Sequence, residues 1–121
     1  MDPYVPPTSQ LVVEIFVRDM ARARAFYEAL GFALCADRGS FVTLSWEEHY
    51  LDLDQRDDLP PPTDHPQANM RVMVPDVDRH WARALALGAR IFAPIADRDY
   101  GLHDFTIVDP GGFGVRFGTR L

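Results

Sequence analysis

Asp19-Met20-Ala21-Arg22-Ala23-Arg24-Ala25-Phe26-Tyr27-Glu28-Ala29-Leu30-Gly31 is a helix with its start and stop both encoded. Asp19 is a natural N-cap, because its short carboxylate can accept from the orphan backbone N–H groups of the first turn. Met20, Ala23, Phe26, Tyr27 and Leu30 recur at helical spacing, leaving Arg22, Arg24 and Glu28 outside. Gly31 ends the helix by supplying a left-handed residue. A shift of 57 residues carries Asp19 onto Asp76, Leu30 onto Leu87 and Gly31 onto Gly88. The second helix places Val77, Trp81, Ala84 and Leu85 on one face. The same shift carries Ile15 and Val17, in the β-type run 11–17, onto Val72 and Val74 in the run 70–74. The chain is therefore an internal repeat of strand-helix units.

Extended segments follow each helix. In the first copy they are residues 32–36, 41–46 and 49–54, with Glu47-Glu48 as a two-residue turn. In the second they are 90–93, 104–108 and 113–117, with a polar loop over 97–102. Asp109-Pro110-Gly111-Gly112 forms a turn that feeds the last strand as a hairpin. The Pro-rich segment 57–68 has the composition of a linker. The expected fold is α+β: two tandem βαβββ modules, 10–56 and 69–118, in one domain over 1–121, with curved mixed sheets around a concave cleft.

Strand alternation assigns the side chains to faces. Val13, Ile15 and Val17 form a floor for the first helix, which leaves Val12, Glu14 and Phe16 on the opposite, concave side. In the second copy Met70, Val72 and Val74 face the helix, and Asn69, Arg71 and Met73 face the concavity. The Glu47-Glu48 turn pairs Ser45 with Tyr50, Thr43 with Asp52 and Phe41 with Asp54. Val42, Leu44, Leu51 and Leu53 then point to the core. On the last strand Val115 and Phe117 are core and Arg116 is concave. Burying Phe105 and Ile107 implies a bulge near the glycines. The concave face thus collects Glu14, Phe41, Tyr50, Asp52, Arg71 and Arg116, with Tyr100 and His103 on the loop at its rim. Two acids and two arginines there pair with each other or contact a ligand.

Composition narrows the classes. The 121 residues, 47% hydrophobic, suffice for a core, and no apolar run approaches the ~20 residues of a membrane span. The start Met1-Asp2-Pro3-Tyr4 lacks the basic and apolar regions of a signal peptide, so the expected setting is cytoplasmic. The lone Cys35 fits a reducing compartment and reads as a small buried residue. All twelve basic residues are arginine, which excludes Schiff-base chemistry on lysine. A net charge of -6 argues against nucleic acid and favours a cationic partner. His49, His65 and His80 read as solvated.

Val17-Arg18-Asp19, Phe26-Tyr27 and Leu30-Gly31-Phe32, together with Tyr100-Gly101, Phe105 and Asp109-Pro110-Gly111-Gly112, resemble the vicinal oxygen chelate superfamily. That superfamily includes glyoxalase I, extradiol dioxygenases, fosfomycin-modifying enzymes and bleomycin resistance proteins. Its enzymes hold a divalent metal on the first and last strand of each copy. By the resemblance these positions fall on Val12, Asp52, Asn69 and Arg116. Valine has no donor atom, and arginine repels a divalent cation. The resemblance is therefore closest to the metal-free, bleomycin-resistance-like members, which are homodimers that sequester a cationic glycopeptide.

Two functional classes stay open on this reading. One is a non-catalytic protein, without metal or other cofactor, that sequesters a small cationic or aromatic molecule, bleomycin being the specific antibiotic implied. Its ligand would be met by Glu14, Phe41, Tyr50, Asp52, Asn69, Arg71, Tyr100, His103 and Arg116. The other is a lyase, isomerase or dioxygenase with a non-standard metal site drawing on His49 or His103. A blander third reading is a dimeric domain whose cleft is closed by its own salt bridges.

Overall fold

The Asp19 and Asp76 carboxylates each accept a hydrogen bond from the backbone N–H three residues on, Arg22 at 3.1 Å and Arg79 at 3.3 Å. They open α1 (Met20–Leu30) and α2 (Val77–Leu87) in the computed structural model, which describes residue 2 and residues 4–121. Met1 and Pro3 of the proline-rich lead lie outside the described residues. Gly31 and Gly88 close the helices in the left-handed conformation, at φ 115° and 72°. These two glycines accept a backbone geometry that a Cβ would strain.

The chain divides into two compact units, residues 1–60 and 61–121. In the first, β1 (Val13–Val17), β2 (Ala33–Asp37), β3 (Phe41–Trp46) and β4 (His49–Gln55) form a sheet in the order β1-β4-β3-β2. β1 runs parallel to β4, and the remaining neighbours are antiparallel. The β3–β4 ladder pairs Ser45 with Tyr50, Thr43 with Asp52 and Phe41 with Asp54, as the turn at Glu47-Glu48 requires. Glu47 takes a positive φ of 54° there. Val42, Leu44, Leu51 and Leu53 are buried with Tyr27 and Leu30 of α1, each apolar side chain contributing ~1.5–3 kcal/mol by leaving water. The Gln55 side-chain oxygen accepts from the Met20 N–H at 2.9 Å, which satisfies a further orphan donor of α1.

The second unit repeats the arrangement. Its strands β5 (Asn69–Met73), β6 (Arg90–Asp97), β7 (Leu102–Val108) and β8 (Gly114–Arg120) take the order β5-β8-β7-β6, with β5 parallel to β8. Both units are four-stranded mixed sheets with one helix, an α+β fold. Phe105, Ile107, Val115 and Phe117 are fully buried, and Trp81 of α2 packs on Phe105 with ring centroids 5.0 Å apart.

Several local expectations are corrected. No bulge lies near the glycines: β7 and β8 pair without a shift from Leu102↔Arg120 to Val108↔Gly114. The turn takes up the extra residues instead, with Asp109 Oδ1 accepting from the Gly111 and Phe113 N–H groups at 2.9 Å each. The irregularities fall on β6, between Ile91 and Ala93 and between Ala93 and Ala96. β6 is an edge strand, so it can accommodate Pro94, and it continues to Asp97. The anticipated loop 97–102 shrinks to a tight turn, and β7 already begins at Leu102. Cys35 is exposed rather than buried, because it is the extra residue where the β2 register shifts between Leu34 and Ala36. His80 is buried rather than solvated, stacked on Phe117 at 5.0 Å with an 8° tilt. Gly114 opens β8 where a Cβ would stand 2.7 Å from that of Asn69, so glycine permits the close start of this parallel pair.

Among the described residues no helix is long and apolar enough to cross a membrane.

Candidate functional site

In the first unit the β1–β4 ladder sets Glu14 opposite Asp52, and the β4–β3 ladder sets Asp52 opposite Thr43. Paired residues on neighbouring strands share a face, so two carboxylates and a hydroxyl stand in one row across the sheet. Thr43 Oγ1 donates to Asp52 Oδ1 at 2.7 Å. Phe41 and Tyr50 lie on the same face by alternation, Phe41 half-buried and Tyr50 exposed. Phe16, also exposed, is covered by the Arg56 guanidinium 4.5 Å above its ring, and Arg56 in turn meets Asp54 at 3.3 Å. Val12 precedes the first residue of β1 and is exposed.

The equivalent row in the second unit is basic. The β5–β8 ladder sets Arg71 opposite Arg116, and β8–β7 sets Arg116 opposite Thr106. Arg116 Nε donates to Thr106 Oγ1 at 3.2 Å and lies 4.0 Å from Asp104 Oδ2. Asp104 is 1% exposed, and it accepts from Arg98 Nε at 2.8 Å and from the Tyr100 hydroxyl at 2.5 Å. Arg98 also donates to the Pro94 carbonyl, which ties this network to β6. The Arg116 guanidinium carbon is 5.7 Å from the centre of the Tyr100 ring. Burial, and then the bond to Asp104, raise the Tyr100 pKa, so the phenol stays a hydrogen-bond donor. A concavity of about 630 Å3 opens here, lined by Arg71, Met73, Tyr100, Arg116 and Arg120.

The candidate residues thus form two groups. Glu14, Phe41, Tyr50 and Asp52 share a face in the first unit; Arg71, Tyr100 and Arg116 border one concavity in the second, with Asn69 at the start of the same β5 strand. His103 leaves the set. It lies within β7 rather than on a loop, and it alternates onto the helix side with Phe105. Its Nδ1 is 2.7 Å from Asp97 and its Nε2 3.3 Å from Asp78 of α2. Asp104 and Thr106 were missed, although alternation from Phe105 and Ile107 places both on the Arg116 face.

His80 and His103 make stability depend on pH in opposite directions. Burial first, then the nearby Arg83 and Arg79, depress the His80 pKa below 6.5, against a smaller opposing effect of Asp76. Its contribution is present above the unfolded value of 6.5 and is lost as pH falls toward the depressed folded value. At His103 desolvation opposes the charge, but bonds to Asp78 and Asp97 outweigh it and the pKa rises above 6.5. That contribution is complete below 6.5 and is lost as pH rises through the raised value. In an NMR titration of the imidazole C–H signals, His103 should titrate above 6.5 and His80 below it. The reverse order would contradict the Asp97 and Asp78 contacts of His103 and the burial of His80 against Phe117.

By the resemblance, the positions that would hold a metal fall on Val12, Asp52, Asn69 and Arg116, and this donor set does not fit a divalent ion. Valine offers no lone pair, and the Arg116 guanidinium is a permanent cation with donors only. Among the described residues no group of three or more His, Cys, Asp or Glu side chains is assembled to hold one.

The sequence profile of the Glyoxalase/Bleomycin resistance protein/Dioxygenase superfamily matches residues 9–117. The chain belongs to this superfamily. Among solved structures it is similar to TioX from Micromonospora sp. ML1, at 25% identity over 92% of this chain and 98% of that one, with a TM-score of 0.76. A bleomycin-binding protein complexed with bleomycin shares 21% identity over 93% and 98% of the two chains, with a TM-score of 0.73. The fosfomycin resistance protein FosX from Listeria monocytogenes shares 15% over 92% of each, with a TM-score of 0.72. The last two show the common fold. A comparison with curated protein sequences found no match.

Proposed function

We propose that this protein binds and sequesters a small molecule without a metal ion or other cofactor. The observation that carries the proposal is the Arg71–Arg116 rung. It puts Arg116, at a position where by the resemblance the family's enzymes need a metal ligand, next to a second cation, Arg71, beside a concavity of about 630 Å3. That volume lies within the range of small-molecule sites. Tyr100, 52% exposed, and Met73, 41% exposed, offer it apolar contact surface. The acidic row of Glu14 and Asp52, flanked by Phe41 and Tyr50, gives the first unit a face suited to a cationic or aromatic group. An antibiotic is the cargo that the family's bleomycin-binding member suggests, and bleomycin is the specific case. Homodimerisation in a cytoplasmic setting belongs to the same proposal. It is supported by Leu34 and Phe92, large apolar side chains left about half exposed on the edge strands β2 and β6.

The test is metal analysis of protein purified without chelator, combined with bleomycin titration read by the fluorescence of Trp46 and Trp81. The expected result is metal well below one ion per chain, with saturable quenching at micromolar bleomycin. Stoichiometric iron, manganese, nickel or zinc would overturn the metal-free reading. Absence of quenching at that concentration would remove bleomycin as the cargo.

A further inference from the structure

We infer that the concavity of the second unit takes an anionic ligand, a carboxylate carried on a planar apolar frame. This inference rests on the metal-free binding reading and gives it a chemical class. Arg71 and Arg116 are ladder partners on adjacent parallel strands, so their side chains leave the same face side by side. Like charges so placed repel unless an anion lies between them. Arg120, four residues further along β8, is on that face as well, about 13 Å from Arg116 at the usual strand rise. The lining contains three arginines and no acidic side chain, the one carboxylate on its border being the α-carboxylate of Leu121.

The nearest side-chain carboxylate, Asp104, relieves this repulsion only in part. Its oxygens are engaged by Arg98 and Tyr100, and it meets Arg116 only at 4.0 Å. Among the described residues Arg71 and Arg120 form no side-chain ion pair. A chain of net charge -6 therefore gathers Arg71, Arg116 and Arg120 at one concave place, where the partly engaged Asp104 meets only Arg116 of the three. Paired guanidinium groups match the two oxygens of a carboxylate by parallel N–H donation. The exposed Tyr100 ring stands 5.7 Å from the Arg116 guanidinium, and Met73 borders the same space, so a flat apolar body next to the carboxylate would find both.

The test is calorimetric titration of the intact protein with 2-naphthoate, its neutral isostere 2-naphthamide, the cation 2-naphthylmethylamine, and inorganic phosphate. Naphthoate should bind at least about tenfold more tightly than the other three, the scale of one charge-assisted bond lost. Its affinity should fall with added salt. Arg71→Gln and Arg116→Gln should each weaken naphthoate about tenfold or more while leaving the amide unchanged. Arg116 touches the buried Asp104 network, so Arg71→Gln, at an exposed position, is the decisive variant; its unfolding midpoint shows that it folds. Equal or tighter binding of the amine, or no effect of Arg71→Gln, overturns the anionic assignment. Phosphate binding as tightly as naphthoate overturns the planar frame. If naphthoate fails while metal-free protein binds bleomycin, this inference falls and sequestration stands. Stoichiometric metal in the purified protein defeats the metal-free reading and this inference with it.

Discussion

Asp104→Ala should destabilise the protein by about 3–5 kcal/mol, the cost of breaking a buried charge pair from one side. The carboxylate is 1% exposed and accepts from Arg98 Nε at 2.8 Å and from the Tyr100 hydroxyl at 2.5 Å, with Arg116 Nε at 4.0 Å. Removing it leaves the Arg98 Nε and the phenol without their side-chain acceptor and takes away the negative charge between Arg98 and Arg116. Asp104→Asn should cost less, because the amide oxygen can still accept one of the two bonds while the charge is lost. Urea denaturation of the three proteins gives the comparison. An alanine variant within about 0.5 kcal/mol of the parent, the range of ordinary surface substitutions, would show that the network contributes nothing to stability. The same variants bear on binding. Without Asp104 the basic row loses the carboxylate that pairs with Arg116, and an anion should bind more tightly to whatever fraction remains folded.

Phe117→Ala should be as damaging, at about 3–5 kcal/mol. Phe117 is fully buried, with His80 stacked on one side at 5.0 Å and Phe105 at 5.6 Å. Truncation removes apolar contact from both rings and leaves a cavity at the junction of β8, β7 and α2. Against a typical total of about 5–15 kcal/mol, that loss would leave little margin. Phe117→Leu keeps most of the volume and should cost about 1.5 kcal/mol or less. It also loosens the packing over His80, so the depressed His80 pKa should move back toward its ordinary value in the leucine variant. Thermal unfolding measures the first effect, and the His80 imidazole signal against pH measures the second. An alanine variant melting with the parent would mean that Phe117 is not in the core.

The residues that mark the fold act over short distances. An aspartate three residues before the N–H it accepts from, a glycine at each helix end and a two-residue turn at Glu47-Glu48 are all settled within a few residues. They therefore survive in sequence as a repeat of 57, and both helices and the β3–β4 register follow from them. The face shared by Glu14 and Asp52 is likewise legible from alternation, once their strands are known to be neighbours.

What depends on strand order is not legible in this way. Cys35 reads in the sequence as a small buried residue, but β2 is an edge strand whose register shifts at that point, so it meets solvent. His80 sits on the shoulder of an amphipathic pattern, and its burial follows from Phe117, a side chain nearly forty residues away, packing beneath it. His103 looked like a loop residue until β6 continued past Pro94 to pair with β7, which turned its ring toward α2. Asp104 joined Arg98, Tyr100 and Arg116 by the same pairing.

The sequence by itself determined the two βαβββ repeats, their helix caps and the Glu47-Glu48 turn, and by resemblance it set Val12 and Arg116 at positions where metal-binding relatives need ligands. Only the tertiary structure decided that Arg71 and Arg116 stand together on one rung beside an open concavity, with the buried Asp104 on the same face next to Arg116. Local hydrogen bonding and alternation fix the elements. The charge of a site depends on which strands become neighbours, and that depends on contacts between residues far apart in the chain.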